Sequence, residues 1–144
     1  MTKRLLITAL LGTLLAGCSV HHHHFPSKPC VPCTGNATGD PLNPQVRINN
    51  GEIAVDQEVL RFRKDQVNVT ITWRVPEGYN FPPNNGVVFE RAAAGEIVNC
   101  QRGKSPQEFT CRNVHSRPGV YRYGINVNQG ETPLKPLDPY LMND

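Results

Sequence analysis

Apolar and polar residues alternate along much of the chain after Val46, and this is the period of half-buried β-strands. The clearest alternation has polar residues between each of its apolar positions, which are Val67, Val69, Ile71, Trp73 and Val75. Successive side chains of a strand point to opposite faces of the sheet. This segment is therefore predicted to be a strand with one face turned towards a core.

A second alternation and several shorter segments extend the pattern. Tyr121, Tyr123, Ile125 and Val127 alternate with polar residues or glycine. Shorter candidate strands cover residues 46–48, 53–55, 59–63, 87–90, 96–99 and 107–112. Turn-forming residues separate them, and only Arg91–Glu96 is expected to form a helical turn, which Gly95 cuts short. The pattern predicts an all-β fold, an antiparallel β-sandwich of about seven or eight strands in a domain covering residues 46–144.

The N-terminal residues have the features of an export signal. Lys3 and Arg4 precede an apolar stretch of 13 residues, Leu5–Gly17, which is too short to span a bilayer as a helix. Leu15-Ala16-Gly17-Cys18 resembles the lipobox of bacterial lipoprotein signal peptides. The resemblance implies that residues 1–17 are cleaved, that the Cys18 thiol carries a lipid, and that this lipid anchors the protein in a membrane. The alternative is an ordinary secretory signal in which Cys18 has no special role.

Residues 18–45 are predicted to form an extended tether. Five prolines lie between Ser19 and Pro44, and no apolar periodicity is present. The tether contains imidazole and thiol groups, which are the side chains that zinc, copper and nickel prefer. They belong to His21, His22, His23, His24, Cys30 and Cys33. A metal site, a plain tether and a short engineered tag are the three interpretations of the histidine run.

The cysteines favour two disulfides. With Cys18 lipidated, four cysteines remain and allow three pairings. Cys100 and Cys111 flank a segment rich in turn formers, so two short strands that paired across it would bring their sulfur atoms within bonding distance. The favoured pairings are Cys100 with Cys111 and Cys30 with Cys33, as suits an oxidising compartment.

Two sandwich families are candidates for the fold: immunoglobulin-like and cupredoxin-like Greek keys. Ile53–Phe62 and Val69–Trp73 resemble the opening strands of cupredoxin-like domains, and Phe109-Thr110-Cys111 followed by His115 resembles the late Cys-x-His loop of blue-copper proteins. A blue-copper site needs two histidines, one cysteine and a weak axial ligand, usually methionine. His115 is the one histidine beyond the tether, and Met142 lies past the last strand that the pattern predicts. The expectation is therefore a scaffold without a copper site, with His115 in a surface loop.

Charge and motifs limit the function classes. The formal net charge of +3 excludes a typical nucleic-acid binder. No recognisable catalytic motif occurs, so a non-enzymatic role is expected. The first hypothesis is an outer-membrane lipoprotein of the bacterial envelope, facing the periplasm, whose sandwich binds another protein or supports an assembly. The alternative is metal delivery by the His21–His24 run with Cys30 and Cys33.

Two surface features bear on partners. Tyr79 and Phe81 lie in a proline-rich loop that is either a partner-binding site or a cover over one end of the sandwich. Residues 100–124 hold Arg102, Lys104, Arg112, Arg117 and Arg122 against Glu108 alone. This local excess of positive charge would suit anionic lipid headgroups, lipopolysaccharide or an acidic protein surface, and the alternative is a set of surface arginines that bind no partner.

Overall fold

The computed structural model describes residues 39–144. The strands in this range are β1 (Val46–Asn49), β2 (Glu52–Val55), β3 (Val59–Phe62), β4 (Val69–Arg74), β5 (Tyr79–Asn80), β6 (Val87–Phe89), β7 (Ile97–Arg102), β8 (Glu108–Asn113), β9 (Gly119–Ile125), β10 (Asn128–Gln129), β11 (Thr132–Pro133) and β12 (Tyr140–Asn143). One 3-10 turn, η1 (Arg91–Ala93), lies between β6 and β7, where a helical turn is predicted.

Two sheets form the sandwich. The four-stranded sheet has the order β3-β12-β9-β6, and the three-stranded sheet has the order β4-β8-β7. All pairs in them are antiparallel except β3 with β12, which is parallel. The chain crosses between the sheets from β3 to β4, from β4 through β5 to β6, from β6 to β7 and from β8 to β9. The prediction of an all-β sandwich is confirmed.

The inner faces of the two sheets share one core. Its largest fully buried side chains include Trp73 and Phe109 from the three-stranded sheet and Phe62 and Tyr123 from the four-stranded sheet. The rings of Trp73 and Tyr123 meet edge to face at 5.7 Å between centroids, and the indole N–H donates to the Tyr123 hydroxyl at 3.5 Å. Burial raises the pKa of Tyr123 far above its usual value. This phenol therefore stays neutral inside the sandwich.

The longest predicted alternation forms a shorter strand than expected. Ile71 and Trp73 are fully buried, as the pattern predicts, but Val67 is 48% exposed. Asn68 has a φ of 55°, in the left-handed region that Asn tolerates better than most residues. The backbone turns at Asn68, so Val67 falls outside β4.

The β1–β2 hairpin follows directly from its turn sequence. Asn50 and Gly51 have φ values of 52° and 80°, and Asn49 pairs with Glu52 on either side of them. A two-residue turn with positive φ at both positions matches the twist of the flanking strands, and Asn-Gly is the sequence that favours it.

The prediction that the strands end before Met142 is wrong. Tyr140–Asn143 forms β12, which pairs with β3 on one side and β9 on the other. Leu141 is fully buried in the core. The sequence does not predict β12 because the strand is short and follows a proline-rich segment. Its pairing with the distant strands β3 and β9 defines it as a strand.

The Cys100–Cys111 disulfide is confirmed and links neighbouring strands. The sulfur atoms are bonded, and the Cα atoms lie 4.1 Å apart. The register of β7 against β8 shifts between Val98 and Gln101, so Asn99 and Cys100 together oppose Cys111. Asn99 has a φ of 54°, which is typical of the first residue of a β-bulge that glycine usually occupies. The β-bulge and the disulfide therefore lie at the same position in the β7–β8 pair.

The segment before β1 closes the free edge of β4. The backbone N–H groups of Thr72 and Arg74 donate to the carbonyl oxygens of Leu42 and Pro44 at 2.8 and 3.3 Å. The residues that belong to the folded domain thus begin before Val46.

Candidate binding surfaces

Phe81 is part of the core and not a surface residue. Its side chain is fully buried, and its ring lies 5.7 Å from that of Phe109. Tyr79 is half-buried in β5, and its carbonyl oxygen accepts a hydrogen bond from the Gln107 side chain at 3.3 Å. The loop was predicted to be either a partner-binding site or a cover over one end of the sandwich, and the burial of Phe81 matches the second alternative. Only Tyr79 has a surface that a partner could contact.

The expectation that His115 lies in a surface loop is wrong. It is only 8% exposed, and its φ is 52°. The Asn113 side-chain oxygen accepts from its backbone N–H at 3.1 Å, and its two ring nitrogens lie 3.2 Å from the carbonyl oxygens of Gln66 and Asp144. Gln66 and Asp144 lie far from His115 in the chain, so sequence could not reveal these contacts.

A copper site of the blue type has no ligands at this loop. Cys111 is bonded to Cys100, and the His115 ring is occupied by backbone carbonyls. Within residues 39–144 no group of three or more His, Cys, Asp or Glu side chains is placed to hold a metal ion. This part of the chain also contains no helix that is long and apolar enough to cross a membrane.

Residues predicted for the anchor and tether lie outside the described range. They are Cys18, His21, His22, His23, His24, Cys30 and Cys33. Their predicted roles in lipidation, metal binding and a second disulfide stay predictions.

A buried carboxylate organises the loop after β8. The Glu96 side chain is 4% exposed and accepts hydrogen bonds from the backbone N–H and the hydroxyl of Ser116. Arg117 lies beside it, with Nε 3.4 Å from Oε1. Burial alone would raise the pKa of Glu96, but the hydrogen bonds from Ser116 and the charge of Arg117 together lower it. These contacts hold the loop after β8 against Glu96, and we assign them a structural role.

The outward face of the four-stranded sheet carries a contiguous apolar cluster. Val59 in β3 is directly opposite Tyr140 in β12, and Met142 in β12 is opposite Val120 in β9. Their neighbours Leu60, Tyr121 and Leu141 are buried, so these four side chains point away from the core. Val120 is 44% exposed, and the other three are half-buried. We call these four residues the apolar face.

Charged groups around the apolar face pair with one another. Arg61 donates from Nε to both carboxylate oxygens of Asp144 at 3.0 Å. Arg122 forms an ion pair with Asp138. An apolar centre surrounded by polar groups, with Tyr, Met and Arg among its residues, is typical of protein–protein interfaces.

A groove adjoins the apolar face. It has a volume of about 370 Å³ and lies between the β1–β2 hairpin and the segment that leads into β12. Ile53, Val55, Leu137 and Pro139 line it, and Tyr140 belongs to both the groove and the apolar face. A side chain of a partner that contacts the apolar face has this groove within reach.

The outward face of the three-stranded sheet is polar by contrast. Its registered pairs are Thr70 with Arg112, Thr72 with Thr110, and Arg74 with Glu108. Threonine is a good strand former whose hydroxyl remains compatible with water. This is the ordinary composition of a solvated sheet face, unlike that of the apolar face.

Sequence reasoning missed the apolar face, although one signal was present. Val120 occupies the polar phase of the β9 alternation, next to Tyr121, so apolar residues fall on both faces at that point. Tyr140 and Met142 could not be assigned, because β12 was not predicted as a strand. No protein-family model matches the chain, and a search of curated proteins found no relative.

Proposed function

We propose that this protein is a lipid-anchored lipoprotein of the bacterial outer membrane whose sandwich faces the periplasm and binds another envelope protein without catalysing a reaction. The sequence Leu15–Cys18 supports the anchor. The apolar face supports protein binding, and it is the observation that carries the proposal.

The exposed apolar residues single out one sheet face. Only three large hydrophobic residues among those described are exposed, and they are Val67, Val88 and Val120. Val120 belongs to a cluster of four on one sheet face, next to a groove, with its charged neighbours already paired. A partner that covered this face would leave neither Arg61 nor Arg122 without a carboxylate partner.

Photo-crosslinking in intact envelopes tests the proposal. A photoreactive amino acid at position 120 is compared with the same residue at position 67, which is similarly exposed but lies just before β4. A specific protein adduct from position 120 and none from position 67 is expected. No adduct at either position, or the same adducts at both, contradicts a binding role for the apolar face.

The anchor has its own test. Mass spectrometry of the mature N-terminus is expected to find a lipid-modified Cys18, and Cys18→Ser is expected to release the protein from the membrane fraction. An unmodified Cys18 contradicts the anchoring part of the proposal and leaves the binding part to the crosslinking result.

A further inference from the structure

The strand β6 forms one edge of the four-stranded sheet and bonds to β9 through alternate residues. The carbonyl of Gly86 accepts from the N–H of Asn126 at 2.8 Å, and the N–H of Glu90 donates to the carbonyl of Arg122 at 3.1 Å. Backbone groups of successive strand residues point to opposite sides, so those of Val88 also point to β9. The residues between these three have their backbone groups on the other side of the strand.

The backbone N–H and carbonyl groups of Val87 and Phe89 therefore point away from β9. Their opposite residues in β9, Ile125 and Tyr123, donate their own N–H groups to the segment before β12, on the far side of β9. No described residue bonds to the N–H or the carbonyl of Val87 or Phe89. Two donors and two acceptors thus lie along the open side of β6, with the spacing that another strand would match.

A groove with mostly apolar walls runs beside this open side. It has a volume of about 330 Å³, and its walls include Val87, Val88 and Phe89 from β6 and Ala93 and Ile97 from the crossing to β7. The side chain of Val88 is 47% exposed on the outward face of the sheet. The unpaired side of β6 is therefore accessible from solution.

Each of the other three sheet edges has a feature that opposes pairing with another strand. The segment before β1 covers β4, and a β-bulge with its disulfide interrupts β7. The edge strand β3 carries the charged residue Arg61. Native proteins protect sheet edges by such covering segments, bulges and charges. β6 differs, because it has no charged residue between Gly86 and Phe89.

We propose that β6 pairs with β6 of a second copy of this chain, antiparallel and about a twofold axis at Val88. In this register Val87 of each copy is opposite Phe89 of the other, and each of these two pairs exchanges two hydrogen bonds. The four bonds use all the unpaired backbone groups of both copies of β6. Val88 of one copy lies directly opposite Val88 of the other, where each side chain covers the exposed surface of its equivalent.

The side chains of β6 suit pairing of the strand with itself. An isologous interface requires a surface that is complementary to itself, and the proposed register brings only uncharged residues together at its centre. Glu90 comes opposite Gly86, so the two copies bring no like charges opposite each other. Three residues from each copy make a small interface, and we expect a weak, reversible dimer.

The pairing would join the two four-stranded sheets into one continuous sheet of eight strands. This inference goes beyond the proposed function, because it requires neither a lipid on Cys18 nor a protein on the apolar face.

Disulfide trapping in intact envelopes tests the inference. The full chain carries Cys30→Ser and Cys33→Ser in every variant, and two copies with different epitope tags are produced together. The test variant adds Val88→Cys. Residues opposite each other in a non-hydrogen-bonded antiparallel pair have Cα atoms about 4.5 Å apart, which is within the range of a disulfide. The parent chain without a further cysteine gives the background.

Two control variants place the new cysteine at other exposed positions. Glu90→Cys lies two residues further along β6, and the proposed register separates the two copies of this residue by about 13 Å, too far for a disulfide. Val120→Cys lies in the apolar face on β9 and is 44% exposed, similar to Val88. It would trap a dimer formed through the apolar face and not one formed through β6.

The expected product of Val88→Cys is a reducible species of twice the chain mass that carries both tags. Its yield should be at least about fivefold higher than that of either control, because only position 88 meets its equivalent within bonding distance. Equal yields from the three variants, no dimer from Val88→Cys, or a different protein trapped by Val88→Cys would overturn the inference. A dimer from Val120→Cys alone would also overturn it. None of these outcomes decides whether position 120 contacts another envelope protein.

Discussion

The two sheets build one core with their inner faces and present different chemistry with their outer faces. The four-stranded sheet exposes apolar side chains whose charged neighbours are paired with one another. The three-stranded sheet exposes polar side chains, among them Thr70, Thr72 and Thr110. The two sheets therefore differ in their outer faces and not in the core that they share.

The largest expected effect comes from the inner faces. Ile71→Ala in the three-stranded sheet and Leu141→Ala in the four-stranded sheet should each lower the free energy of unfolding by about 2–5 kcal/mol, because each leaves a cavity in the shared core. Denaturant titration followed by Trp73 fluorescence and by circular dichroism should give one coincident transition for each variant. Separate transitions for the two probes would mean that the sheets unfold independently.

The disulfide makes the three-stranded sheet dependent on redox state. Replacing both Cys100 and Cys111 with Ala should lower the free energy of unfolding by about 3 kcal/mol, because the bridge restricts the unfolded chain. Thermal melts of the double variant and of the wild type with and without reductant provide the measurement. A wild type that melts at the same temperature in both conditions would contradict the expectation.

The buried carboxylate makes stability depend on pH. The pKa of Glu96 is lower in the folded protein than in the unfolded chain, so the carboxylate stabilises the fold above the unfolded-state pKa of about 4.3. This contribution is lost as the pH falls through the folded-state pKa. Glu96→Gln should lower the free energy of unfolding by about 1–3 kcal/mol at neutral pH. It should also flatten the decline of stability in acid.

Stability curves measured between neutral and acidic pH check this expectation. The exposed residue Glu77 provides the control, because Glu77→Gln changes a carboxylate that bonds to no described residue. A Glu96→Gln curve that runs parallel to the wild-type curve at all pH values would show that Glu96 does not contribute to the pH dependence of stability.

The smallest effect on stability is expected on the apolar face. Val120→Thr should change the free energy of unfolding by less than about 0.5 kcal/mol, since the side chain is exposed. It should nevertheless weaken the capture of an envelope partner, whereas Val67→Thr should affect neither property. Thermal melts and affinity capture from solubilised envelopes measure the two properties. An unchanged yield with Val120→Thr would remove Val120 from the binding surface.

Local signals in the sequence were enough to predict several elements of the fold. Ile71, Trp73, Tyr121 and Tyr123 follow the strand period and are buried where it predicts. The pairing of Cys100 with Cys111 also follows from local information, because the two residues belong to adjacent strands of one hairpin. Apolar periodicity and turn-forming residues are signals that extend over only a few residues, so they can be recognised in a single sequence without knowledge of the fold.

Long-range contacts determine what the sequence could not predict. β12 is a strand because β3 and β9 flank it, and His115 is buried because Gln66 and Asp144 surround its ring. The strands β5, β10 and β11 have two residues each, too few to show any period. The apolar face is formed by the pairing of β12 with β3 and β9, so it could be identified only from the structure.

The parallel pair of β3 and β12 also sets an order of events during synthesis. Arg61 and Asp144, which bond across this pair, are 83 positions apart. A chain that emerges with its N-terminus first presents β3 long before its partner, whereas the β7–β8 hairpin can close at once. Until residues 140–143 arrive, β3 has no neighbour and its apolar side chains stay open to chaperones and proteases. The four-stranded sheet therefore stays incomplete until residues 140–143 have been made.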